Sequence, residues 1–346
     1  MKLQDLLLDE QSTVKQAIER LESVRCKVVY VVKGKKLIAS VSDGDVRRFS
    51  LKAGDILKNV SHIANFTPTS FYEYEKDKWL ATFQATEIYS VPIINYNNEI
   101  VGVVFRDGKV IKEHEKISVP VVMVAGGKGS RLYPYTQILP KALIPIGDIP
   151  ISEHILNRFY ECGCTSFHMI VNHKRAMIQS YYENVEKEYS LQFIEETIPL
   201  GTGGGLSLLK GIIKEDFIFT NCDIIIDADY AAIYKMHKKK NNFITMILSK
   251  YTANIPYGVV DIDEDNNYAG TTEKPQFTYH INTGVYIVNP RVIDEMPENE
   301  AIGFPDIIEK YFRAGERIGC YIVDESAYMD MGQLDEMEKM KIKLDV

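Results

Sequence analysis

Residues 119–125 (VPVVMVA) constrain the fold more than any other stretch of this chain. A continuous apolar run rich in Val is what a strand covered on both faces of a parallel sheet requires. Helical and strand-like patterns alternate after it. A helical period over 152–162 is followed by a strand over 167–172, a helix over 174–187 and a strand over 216–220. A helix over 229–240 and a strand over 243–249 continue the series. Such alternation predicts right-handed βαβ units and a mostly parallel α/β sheet. Ligands in such sheets bind beyond the carboxyl ends of the strands, so chemistry-bearing motifs should follow strands directly.

The 346 residues suffice for two domains, and the composition changes near residue 115. Before that point lie strand-like runs at 26–32, 36–41, 90–94 and 100–105, with helical patterns over 13–24 and 75–85. The polar segment 109–118 (KVIKEHEKIS) reads as a linker or the end of a short helix. Domains are therefore expected over 1–115 and 119–346. With 40 basic and 48 acidic side chains, a net charge of -8 argues against a nucleic-acid coat. No apolar run approaches the roughly 18 residues needed to cross a bilayer, and the acidic start MKLQDLLLDE lacks the order of a secretory signal. Neither nucleic acid nor membrane is expected as a partner. Five cysteines without a CxxC pair argue against a disulfide framework or a structural zinc site, and a reducing cytoplasm is the expected compartment.

Directly after the buried run comes Ala125-Gly126-Gly127-Lys128-Gly129-Ser130-Arg131-Leu132, then Pro134, Thr136, Pro140 and Lys141. Three glycines in four positions remove the Cβ atoms, so backbone N–H groups can curl around an anion. Arg131 and Lys141 place positive charge nearby. A tight strand-to-helix turn with two surface cations has the same pattern. A Walker A loop is excluded because Gly129 follows Lys128, and a G-x-G-x-x-G fingerprint fails at Leu132. Further along, Asn221-Cys222-Asp223 ends a strand, which aims a carboxylate at the ligand crevice. An Asx turn or helix cap would also use this Asp. Asp330, in Tyr328-Met329-Asp330-Met331-Gly332, is a second candidate carboxylate, or a cap of the final helix through Gln333. Asp227, Asp229 and Asp324 read as solvated or capping carboxylates.

The run AGGKGSRLYPYTQILPKALIPIG resembles the signature of sugar-1-phosphate nucleotidyltransferases, AGGxGxRLxPxT followed by PKxLxPI. The resemblance implies a Rossmann-like nucleotidyltransferase domain. In it Ala125, Gly126, Gly127, Gly129 and Ser130 would hold a nucleoside triphosphate. Arg131 and Lys141 would stabilise the transferring phosphates, and Asp223 and Asp330 would bind Mg²⁺, which prefers hard oxygen ligands. Cys222 stands where the family has glycine. Tyr257-Gly258-Val259-Val260, Glu273-Lys274-Pro275 and Asn282-Thr283-Gly284 resemble the family's sugar-phosphate elements, with Tyr257, Gly258, Glu273, Lys274, Asn282 and Thr283 facing the sugar 1-phosphate. The run from Glu196 through Gly201 and Thr202 to Gly205 resembles the E-x2-PLGTAGA of guanylyltransferases, with Gly203 and Gly205 replacing alanines and leaving a more flexible loop. A carboxylate at Glu196 can accept from guanine N1–H and its exocyclic amine, a pair that adenine lacks, which points to GTP. Uridylyl and thymidylyl relatives share the glycines, and a uridylyl-, cytidylyl- or thymidylyltransferase acting on another sugar phosphate is the rival within the enzyme class. The nearest resemblance is to mannose-1-phosphate guanylyltransferase-like enzymes, including those supplying GDP-hexosamine precursors of nonulosonic (legionaminic) acids. A catalytically decayed nucleotide sensor is the rival from another class.

The first third carries two copies of a unit: apolar strand, polar turn, strand, then a helix opened by aspartate. The second copy runs into Arg106-Asp107-Gly108. The pattern, with the run SDGDVRR, resembles a CBS-domain pair. That resemblance implies a regulatory nucleotide held by Ser42 and Asp45, with Asp107 at a second site where Val104 replaces the hydroxyl. It also implies a homodimer.

Overall fold

The computed structural model describes residues 1–52, 54–72, 75–112, 115–332 and 334–344. The chain divides into two compact units, 1–114 and 115–346.

In the first unit a strand–helix–strand–strand order occurs twice. Leu7–Asp9 pairs in parallel with Val28–Lys33, which turns back into Lys36–Ser42. Phe71–Tyr72 likewise pairs in parallel with Ser90–Ile94, which turns back into Ile100–Phe105. The intervening helix Val14–Val24 starts where Thr13 and Gln16 cap each other's backbone N–H groups. Its counterpart is Lys76–Ala85. The second copy departs from expectation at its end. Asp107 opens a turn, not a helix: its carboxylate accepts from the Lys109 N–H, and Gly108 adopts φ 87°. The chain then returns as the strand Val110–Lys112 beside Ile100–Phe105, so the segment expected as a linker begins with a strand. Residues 113 and 114 of that segment lie outside the described residues.

The second unit is built on a seven-stranded sheet. Its order is Ser190–Glu195, Ser166–Val171, Val121–Val124, Phe217–Asn221, Gln276–Val288, Ile244–Asn254, Ile318–Val323. Every neighbouring pair is parallel except the two made by Gln276–Val288. The mostly parallel sheet expected from the alternation is therefore present. Val121 and Val122 are fully buried at its centre, with a core on each face. Helices Ile151–Glu161, Arg175–Glu183 and Tyr230–Lys240 follow strands closely. Asp229 caps the last of these by accepting from the Ala232 N–H. Because the parallel strands share a direction, the segments after Val124, Val171, Glu195 and Asn221 leave the sheet at one edge.

A buried polar cluster holds the opposite edge. Asp216, just before the strand Phe217–Asn221, accepts from the Lys238 ammonium at 2.7 Å and lies 3.6 Å from His237 Nε2. His237 Nδ1 meets Thr245 Oγ1 at 2.8 Å. Burial pushes the Asp216 carboxyl up, but His237 and Lys238 outweigh it and hold it below the usual carboxylate range. A group whose pKa is depressed by folding stabilises above its unfolded pKa and loses that contribution in acid. Asp216→Asn should cost about 2 kcal/mol at pH 7. The difference from the parent should shrink as pH falls below about 4. Urea melts at both pH values check this, and an undiminished difference in acid would assign the loss to packing.

Candidate active site

The glycine loop leaves Val124 at the carboxyl edge of the sheet and ends in a short turn, Ser130–Leu132. Gly129 has φ 64°, a left-handed conformation that side chains resist. A Cβ there would lie 2.9 Å from Thr136 Cγ2 and 3.1 Å from Lys141 Cβ. Gly126 is crowded differently, since its Cβ would meet Asn172 Cβ and Glu196 Oε2, each at 3.1 Å. Gly127 alone of the three has open space beside it. That space belongs to a cleft of about 230 Å³ lined by Gly127, Gly129, Ser130, Arg131, Leu132, Lys141 and Gly332. The glycine loop and two cationic residues thus line one concavity.

Lys141 points from the turn Lys141–Leu143 to Asp223, and its ammonium donates to Asp223 Oδ2. The two side chains are only 14% and 11% exposed. Asp223 does not cap a helix: the next residues form the strand Ile224–Ile226, antiparallel to Tyr328–Asp330. In that register Ile224 faces Asp330, and the Met331 N–H donates to the Asp223 carbonyl at 2.9 Å. Two carboxylates from distant segments are thereby set side by side. The proposed cap through Gln333 falls on a residue outside the described ones.

Burial raises the Asp330 carboxyl above its usual range and the charge of Asp223 adds to this, while Lys141, Tyr328 and Arg131 pull the other way. Its Oδ2 accepts from the Tyr328 hydroxyl at 3.3 Å. Its Oδ1 is buried and has no hydrogen-bond partner. A buried, unsatisfied carboxylate oxygen beside a second carboxylate is costly unless a cation completes it. The donor set is all hard oxygen, which fits Mg²⁺. Among the described residues no cluster of three or more His, Cys, Asp or Glu could hold a metal. The remaining ligands would have to be substrate oxygens or water. Cys222 is buried, and that burial pushes its thiol up to about 12, so it fills space as an inert thiol.

Around this centre the other candidate residues fall into two groups. Gly284 (φ 80°) packs on Asn221, where a Cβ would lie 2.5 Å from Asn221 Nδ2. This brings the Asn282-Thr283-Gly284 element beside Asp223. Asn282 Oδ1 accepts from the Tyr286 hydroxyl at 2.9 Å, which orients its amide. Thr283 is 1% exposed and donates to the Ile247 carbonyl, so its hydroxyl is committed to the strand. Gly258 lies against Glu273, with a Cβ 2.9 Å from Glu273 Oε2. Thus the Tyr257-Gly258 and Glu273-Lys274 elements meet each other, and all four residues are exposed.

Glu196 directly follows the edge strand and is 5% exposed. Its Oε1 accepts from the Leu200 N–H at 3.1 Å. Burial raises its carboxyl and that hydrogen bond partly offsets the rise. It borders the glycine loop, because its Oε2 faces Gly126. Gly201 and Thr202 turn the other way: Gly201 packs on the Ile302 carbonyl, and Thr202 Oγ1 accepts from the Phe304 N–H. The expectation of a flexible loop here is overturned. Gly203, Gly204 and Gly205 are buried, with Cβ positions 2.4 Å from Ile307 Cδ1, 2.3 Å from the Glu300 carbonyl and 3.1 Å from Ile170 Cγ2. At Gly204 glycine is required by the main-chain contact, while the nearest atoms to Gly203 and Gly205 belong to side chains. Asn172 and Lys174, absent from the sequence reading, also reach the site. Their position directly after the strand Ser166–Val171 was the available signal.

Residues 120–345 match the family described as "Nucleotidyl transferase". The "Mannose-1-phosphate guanylyltransferase catalytic subunit beta" of Drosophila pseudoobscura pseudoobscura is 31% identical over 229 residues, covering 61% of this chain and 58% of that protein. The "Mannose-1-phosphate guanyltransferase" of Candida albicans is 34% identical over 226 residues, 61% of this chain and 60% of that protein. The chain therefore spans about 60% of the length of these curated relatives. HddC from Yersinia pseudotuberculosis, solved also as a complex with GMP-PN, superposes with a TM-score of 0.52 at 23% identity, covering 65% of this chain and 99% of its own. That likeness is one of fold. Among the described residues no helix is long and apolar enough to cross a membrane. With well over half its length matched, and the glycine loop emerging from the central strand of such a sheet, this chain belongs to the nucleotidyl transferase family.

Proposed function

We propose that the chain transfers GMP from GTP to a sugar 1-phosphate, giving a GDP-sugar and pyrophosphate. The observation that carries this reading is one cleft lined by the glycine loop, Arg131 and Lys141, with Lys141 bonded to Asp223 and strand pairing setting Asp330 beside Asp223. A phosphate oxygen of the sugar attacks the α-phosphorus, a new P–O bond forms, and the bond to the leaving pyrophosphate breaks. Both reactants are anionic, so neutralising and aligning them is most of the task. Loop amides and Arg131 cradle the triphosphate, while Lys141 balances charge beside Asp223. Asp223 and Asp330 would hold Mg²⁺, which when bound neutralises phosphate oxygens. Asn282, Glu273 and Lys274 would take the sugar phosphate, with Tyr257 and Gly258 beside them.

GTP is favoured by Glu196 and by what the matched relatives are called. A hexose 1-phosphate is favoured by what those relatives are called, and a hexosamine 1-phosphate by the sequence resemblance to enzymes that supply nonulosonic acid precursors. A panel of five nucleoside triphosphates with several sugar 1-phosphates, read by pyrophosphate release, tests this. GTP should give the highest kcat/KM, and turnover confined to UTP, CTP or dTTP would replace the guanylyl reading. Glu196→Gln should lower kcat/KM for GTP about tenfold, roughly one hydrogen bond to a charged acceptor. UTP should be less affected.

The first unit is proposed as a CBS-domain pair that binds a regulatory nucleotide and joins two chains as a homodimer. Its twice-repeated strand–helix–strand–strand order supports the reading. Ser42 and Asp45 cap each other at the start of the helix Asp43–Leu51, and Asp45 also pairs with Arg48. Their arrangement therefore already serves the fold, and nucleotide titration of the full chain would test a second role.

A further inference from the structure

We infer that Asn172 and Lys174 are positioning residues that couple base selection to phosphate placement, and this rests on the nucleotidyl-transfer reading above. Both lie in the short segment between the strand Ser166–Val171 and the helix Arg175–Glu183. Lys174 holds a left-handed backbone, φ 56° and ψ 30°, which is uncommon for a side chain with a Cβ. From it the ammonium donates to the carbonyls of Thr136 at 2.8 Å and Gln137 at 2.6 Å. Thr136 in turn donates to the Gly129 carbonyl at 3.0 Å. One cation thus pins the segment after the glycine loop to that loop's last glycine.

Asn172 works on the other side. Its amide donates to the Glu196 carbonyl at 2.8 Å, and its Cβ borders Gly126. Glu196 reaches the same glycine with its carboxylate. The main chain of Glu196, which carries the proposed base-reading carboxylate, and the first loop glycine therefore both rest on one side chain. Lys174 sets where the phosphates lie, and Asn172 sets where the base lies relative to them.

The two roles leave different kinetic signatures. Lys174→Met should raise KM about tenfold for every accepted triphosphate while leaving the preference among bases unchanged. Lys174→Arg should recover most of that loss. Asn172→Ala should narrow the preference for the favoured base at least fivefold. A purely structural role would instead lower the melting temperature of each variant without a KM change. Parent-like KM in Lys174→Met, or an unaltered base preference in Asn172→Ala, would overturn the inference. If the unmutated chain turns over no triphosphate, the underlying reading fails first, so the two failures are distinguishable.

Discussion

Asp223→Asn is expected to lower kcat about 10³-fold while the chain still folds. Removing one preorganised electrostatic group from a transfer site typically costs two to three orders of magnitude. Asp223 is buried and bonded to Lys141, and removing its charge leaves Asp330 as the one carboxylate of the proposed pair. Asn keeps the size and one oxygen for the Lys141 ammonium, so the cost in stability should stay within about 2 kcal/mol. Pyrophosphate release and a urea melt on the same preparation separate the two quantities. Turnover within tenfold of the parent would show that Asp223 is not part of the catalytic centre.

Gly127→Ala and Gly129→Ala should fail in opposite ways. At Gly127 the backbone is not left-handed and nothing lies within 4 Å of the added Cβ, so the fold should be unaffected within about 0.5 kcal/mol. The new methyl enters the cleft that the phosphates are proposed to fill. A displacement of about 1 Å there can cost 10²-fold, so kcat/KM for the nucleotide should fall by about that factor. Gly129→Ala meets a left-handed backbone, which costs roughly 1–2 kcal/mol, and a contact of 2.9 Å to Thr136. It should lower stability measurably in the absence of any ligand. Equal activity in Gly127→Ala and the parent would remove the loop from the phosphate site.

The parallel sheet and the loop were readable because both are local. An apolar Val run, an alternating period and three glycines act through neighbours a few residues away. The antiparallel strand Gln276–Val288 was not readable as one element, because its first half is exposed and its last four residues are buried, so no single period runs through it, and its partners lie on both sides. Asp107 misled for a related reason. Aspartate opens helices and turns alike, and the strand Val110–Lys112 decided between them by pairing with Ile100–Phe105. Gly203 and Gly205 read as flexible because they replace the alanines of the resembled motif, whereas Phe304 and Ile307 pack onto Gly203, and Ile170 and Glu196 onto Gly205. Asn172 and Lys174 carried no motif at all, and only folding brings their side chains to Glu196, Thr136 and Gln137.

Sequence alone determined where the candidate phosphate loop lies, since missing Cβ atoms and nearby cations are properties of contiguous residues. Tertiary structure decided which carboxylates share a site and which glycines are rigid. The pairing of Ile224–Ile226 with Tyr328–Asp330 sets Asp330 beside Asp223. Strand register between distant segments depends on the packing of the whole sheet, and no local pattern encodes it.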